Sequence, residues 1–150
     1  MANKIVLVGK AASGKDYLRT RLMNRGLTYG VSHTTRDPRP GEIDGKDYWF
    51  VTEQEFLEIV SRGQMVEHQM FSGWYYGIAQ WIFEDADIMI MNAEAVALLP
   101  KHIRNVCTVI YLDIPLEVRQ SRLMERGDIQ DPMKRRLKAD EDQFAGFDNY

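Results

Sequence analysis

The chain has 150 residues, 45% of them hydrophobic, and a formal charge of -3 from 19 Lys and Arg against 22 Asp and Glu. That length can bury one sizeable core without calling for a second domain, and a chain whose bases do not outnumber its acids is not built as a non-specific nucleic-acid binder. No apolar stretch approaches the roughly 20 residues of a membrane helix, the N-terminus lacks a signal peptide's pattern, and the lone Cys107 sits in an apolar run, so a soluble cytoplasmic protein with no membrane partner is expected.

The first element is a short β-branched run, Lys4 to Val8, followed by a glycine-containing loop and a helical pattern predicted from Lys15 to Arg25. Between Tyr29 and Tyr76 the texture turns to Thr, Tyr, Trp, Phe and Val broken by Pro38, Pro40, Gly41, Gly45 and Gly73, which predicts an inserted β-rich lobe. Within it Thr52-Glu53-Gln54-Glu55 is a capping-box pattern opening a short helix that ends near Gly63. Trp49, Phe50, Phe56 and Phe71 read as the lobe's core, and His33, His68 and His102 as structural. Asp87 to Asn92 and Val106 to Asp113 lack strict alternation, as strands buried on both faces of a parallel sheet do, and each precedes a helical segment. The second of these helices starts at Pro115 and carries an apolar stripe to Arg126; a polar, charged helix from Met133 to Phe144 is the last element.

Gly9-Lys10-Ala11-Ala12-Ser13-Gly14-Lys15 has the spacing of a phosphate loop, and it lies between a strand and a helix as that chemistry requires. Glycines let successive backbone N–H groups turn toward phosphate oxygens, and Lys15 reaches the β and γ phosphates. The expected fold is therefore an α/β P-loop NTPase, a three-layer sandwich with a parallel core sheet, the β-rich lobe and a helical lid. After Lys15 stands Asp16, where Ser or Thr usually ligates Mg²⁺. Asp16 is either a Mg²⁺ ligand beside ATP or a first-turn acid favoured by the helix dipole.

Arg36 and Arg39, three apart on a proline-stiffened segment, can clamp one phosphate. With Gly41-Glu42, Gly45-Lys46-Asp47-Tyr48, Glu67 and Gly73-Trp74-Tyr75-Tyr76-Gly77, this stretch strongly resembles the monophosphate-binding lobe of guanylate kinases. The resemblance implies an ATP-dependent kinase of GMP, and of dGMP, with small-molecule substrates only. It implies that Arg36, Arg39, Tyr48 and Tyr76 hold the acceptor phosphate, that Glu67 and Ser32 face the base, and that Glu42, Ile78, Asn92 and Glu94 complete the acceptor site. Glu67 suits guanine, because a carboxylate accepts both the N1 and N2 protons, whereas adenine offers an acceptor there. Ile78 stands where the family carries Ser or Thr and cannot donate to the guanine O6.

Arg122-Leu123-Met124-Glu125-Arg126-Gly127, followed by Arg135 and Arg136, resembles the family's lid, which implies that Arg122, Arg126 and Arg136 act with Lys15 on the transferring phosphoryl group. Arg135 reads equally as lid or solvated helix. The implied division is a core of about residues 1–31 and 82–121, an acceptor lobe of about 32–81 and a lid of about 122–140. The resemblance stops short of the family's last strand and helix, leaving an abbreviated or incomplete chain. Gly14-Lys15-Asp16, Tyr75-Tyr76-Gly77 and Asn92 also resemble ribose 1,5-bisphosphate phosphokinase, which lacks the Pro38 to Glu42 segment. Kinases of other nucleoside monophosphates are a further alternative. So is a non-catalytic phosphopeptide-binding module of guanylate-kinase type, although such modules have degraded ATP loops.

Overall fold

A computed structural model describes residues 2–127 and 133–150; the middle of the expected lid, 128–132, lies outside the described residues. Strand β1 (Lys4–Gly9) is the centre of a parallel sheet in the order β6-β1-β7, with β6 at Ile88–Ile90 and β7 at Cys107–Leu112. Val6, Val8, Met89, Met91, Val96, Ile103 and Val109 pack as one buried cluster against it, and Leu7 and Ile88 on the other face of β1 and β6 are buried too. Strand β7, at the sheet edge, is buried on one face only, with Thr108 and Ile110 exposed, contrary to the expectation of two buried faces. Lys4 is also buried, and its ammonium donates to the carbonyls of Glu84 and Ala86, at 2.8 and 2.6 Å, at the end of α3 (Gln80–Asp85). A buried charge is tolerated there because helix-terminal carbonyls answer it.

Strand β6 is shorter than the apolar run suggests, because its flanking polar residues have other work. The Asp87 carboxylate accepts from the Thr28 amide and hydroxyl, at 2.8 and 2.9 Å. Asn92 caps α4 (Ala93–Leu98), accepting from the Ala95 amide at 2.8 Å. Helix α1 (Lys15–Met23) likewise ends two residues before Arg25, in a turn that Gly26 completes at φ 94°.

The second sheet has the order β3-β2-β5-β4, formed by β2 (His33–Thr34), β3 (Trp49–Phe50), β4 (Met65–Phe71) and β5 (Trp74–Ala79). Helix α2 (Glu53–Ser61) covers it and starts on the expected capping box: Thr52 accepts from the Glu55 amide, and Glu55 accepts from the Thr52 amide. Of the four aromatics expected in this lobe's core, Phe56 alone is fully buried. Trp49 is 40% exposed, its ring tilted 31° to that of His33, while Phe71 lines the cleft described below. His33 is buried, and that burial lowers its pKa; His68 and His102 are exposed.

The remaining helices are α5 (Lys101–Arg104), α6 (Leu116–Arg126) and α7 (Met133–Phe144). Tyr111, Phe144, Phe147 and Tyr150 form an aromatic cluster beside β7. No helix among the described residues is long and apolar enough to cross a membrane.

Candidate functional site

A cavity of about 770 Å³ runs from the loop after β1 to the inner face of the second sheet, roofed by α6 and α7. The loop is tightly wound: Ala12 has φ 60° and Gly14 has φ 98°, and a Cβ on Gly9 would meet Ser13 and the Leu112 carbonyl. Lys15 Nζ lies 2.5 Å from the Gly9 carbonyl and 3.1 Å from that of Lys10, inside the loop it follows. Burial pushes this ammonium down to about 8, against the opposing pull of Asp140 and Asp16.

Helices α6 and α7 both reach this loop. Arg122 donates to the Ala12 carbonyl at 2.9 Å, and Arg126 is close enough to press on the Lys15 charge. From α7 the buried Asp140 accepts from the Ala11 amide at 3.0 Å and pairs with buried Arg119 at 3.5 Å. Burial raises the pKa of Asp140 despite the opposing Ala11 amide, Lys15 and Arg119. Thus a protein carboxylate sits on one of the amides of the phosphate loop. Arg135 does something the sequence does not suggest: it donates to the Ser72 carbonyl and lies 4.8 Å from the Trp74 ring, latching α7 onto the tip of the β4–β5 hairpin.

On the opposite wall Arg36 is buried and forms a two-pronged pair with Glu42, both contacts at 3.0 Å, while Glu42 also accepts from the Arg39 amide at 2.7 Å. Burial opposes the Arg36 charge, but Glu42 and Tyr76 more than offset it and raise its pKa. Tyr48 packs edge-on to Tyr76 at 5.9 Å, and burial raises the pKa of its phenol. Glu67 is 7% exposed, with Oε2 unpartnered; burial raises its carboxyl to about 8, opposed by a hydrogen bond from the Ile78 amide. Gly77 makes this packing possible, since a Cβ there would lie 2.8 Å from the Glu67 carbonyl.

Most of the residues singled out in the sequence line this one cavity, including Ser32, Asn92, Arg136 and the mouth residue Asp16. Three do not. The Lys10 side chain lies outside it, Ile78 is fully buried in the core with only its amide facing Glu67, and Glu94 exchanges hydrogen bonds with Gln143 of α7 at 3.1 Å. Sequence reasoning missed Arg19, Tyr29, Gln69, Arg119 and Asp140, which also belong to the site or its walls. Arg19 lies 4.6 Å from the Tyr29 ring and bridges Asp16 and Asp47, linking the loop side to the lobe side.

A sequence model described as guanylate kinase matches residues 1–147. The chain belongs to the guanylate kinase family. It is 32% identical to the guanylate kinase of Syntrophus aciditrophicus, over 97% of this chain and 74% of that one, and 32% identical to that of Homo sapiens, over 90% and 74%. The crystal structure of guanylate kinase from Anaplasma phagocytophilum shares the fold, with a TM-score of 0.74 at 23% identity over 99% of this chain and 73% of that one.

Proposed function

We propose that the protein is a cytoplasmic kinase that transfers the γ-phosphoryl group of ATP to GMP, and to dGMP, giving ADP and GDP or dGDP. The observation that carries this reading is that a buried carboxylate with a vacant oxygen, Glu67, and a phosphate loop with an intact lysine, Lys15, face one cavity. The Gly9–Lys15 loop holds the ATP phosphates, and Arg36, Arg39, Tyr48 and Tyr76 hold the phosphate of the acceptor. Glu42 aims the Arg36 fork, Glu67 and Ser32 face the base, and Asn92 stands beside them. An oxygen of the acceptor phosphate attacks the γ-phosphorus in line while the bond to the β–γ bridging oxygen breaks and ADP leaves. No proton-transfer catalyst is required, so positioning and charge neutralisation by Lys15, Arg122, Arg126 and Arg136 do the work.

Mg²⁺ accompanies ATP in this reading and supplies charge neutralisation when bound. No group of three or more His, Cys, Asp or Glu among the described residues forms a protein cage. The side chain of Asp16 is 69% accessible at the cleft mouth, a donor set that fits an ion held mostly by phosphate oxygens and water.

Equilibrium titration with GMP, IMP, AMP and dTMP tests the acceptor assignment. GMP should bind at least about tenfold more tightly than AMP, because adenine leaves Glu67 unpaired. Equal affinities would remove Glu67 as the base reader.

A further inference from the structure

We propose that Gln69 is a second base-reading residue, whose side-chain oxygen accepts a hydrogen from the 2-amino group of guanine; this rests on the guanine reading of the cleft. Glu67 and Gln69 are two apart on β4 and so share a face, and both are 7% exposed and line the cavity, whereas His68 and Met70 between and beyond them are exposed. Each leaves one buried oxygen without a partner, Glu67 Oε2 and Gln69 Oε1.

The orientation of the Gln69 amide is fixed by its neighbour. Asn92 Oδ1 accepts from the Ala95 amide at the start of α4, so the atom facing Gln69 is an oxygen. Gln69 must therefore present its nitrogen to it, and does so at 2.5 Å, which leaves the carboxamide oxygen for the cleft. Buried polar atoms without partners are rare in folded proteins, and two of the same kind on one strand face describe what is to be bound: a ligand edge rich in donors.

Guanine presents N1–H and two N2–H donors on two nitrogens bonded to the same carbon. Glu67 cannot serve all three comfortably, since the Ile78 amide already engages its carboxylate. Two acceptors that take the two hydrogens of one amino group lie about 5 Å apart at ordinary hydrogen-bond lengths. Residues i and i+2 of a strand stand about 6.6 Å apart, close enough for two flexible side chains of equal length to converge on that separation. With Ile78 unable to donate to O6, selectivity shifts from the oxygen of the base toward its amino group.

The test is steady-state kinetics with GMP and with IMP, which differ only in the 2-amino group. Wild type should prefer GMP, and Gln69→Met should lower kcat/KM for GMP roughly tenfold while changing that for IMP by less than about twofold. A role confined to holding Asn92 would lower both substrates equally, and an unchanged GMP:IMP ratio overturns the proposal. Gln69→Asn keeps the amide one methylene short and, should the methionine variant not fold, must show the same fall in the ratio. A wild type that does not use GMP at all removes the guanine reading and this inference together, whereas a GMP-active wild type with an unchanged ratio in the variants removes Gln69 alone.

Discussion

Lys15 and Asp140 show how a phosphate loop accommodates its own charges. The ammonium rests on two loop carbonyls, and a carboxylate from α7 occupies the Ala11 amide. Lys15→Ala should abolish transfer while leaving GMP affinity within about twofold, because the residues proposed to hold the acceptor lie on the other wall. Equal loss of both would mean that the two substrate regions are not separate. Asp140→Asn keeps an oxygen for the Ala11 amide and removes a negative charge, so ATP should bind several-fold more tightly, read by calorimetric titration.

Glu67 makes a pH prediction whose sign follows from its pKa of about 8, raised from 4.5 by burial. The unfolded chain loses the Glu67 proton near its ordinary value, while the folded one keeps it to about 8. Stability from this group is thus full below the ordinary value and lost as pH rises toward 8, on the order of a few kcal/mol. Glu67→Gln should flatten urea-measured stability across that window. Guanine donors need the ionised carboxylate, so GMP binding at pH 7 should also release a proton that the glutamine variant does not release. Calorimetry in buffers of different ionisation enthalpy reads that difference.

Among the elements, α7 is held at two distant points, Asp140 on the phosphate loop and Arg135 on the hairpin tip. Arg135→Ala should speed amide exchange along α7 severalfold without touching either substrate contact, and unchanged exchange would mean that the latch contributes nothing. At α2, Phe56 is fully buried, stacked 5.3 Å from Tyr75. Phe56→Ala should cost about 3–5 kcal/mol by chemical denaturation. The elements were legible in the sequence where local chemistry decides them, as at the Thr52 capping box and the apolar runs of β1 and β7. Their boundaries were less so where a flanking side chain takes a tertiary partner, as Asp87 does with Thr28.

Across the molecule the same distinction separates what the sequence could reveal of the site. The Gly9–Lys15 loop and the Arg36 to Glu42 segment are contiguous, so spacing exposes them. Asp140 meets Ala11 across 129 positions and Gln69 meets Asn92 across 23, contacts that only the fold creates. The departure at Ile78 was visible as a lost hydroxyl, yet its consequence was not, because the side chain turns into the core while its amide faces Glu67. Family membership and cleft geometry together support one activity, ATP-dependent phosphorylation of GMP. Product analysis with Mg-ATP and an equimolar mixture of GMP, AMP, dTMP and ribose 1,5-bisphosphate tests it most directly. GDP should form well ahead of every other product, and turnover of the ribose bisphosphate alone would contradict it.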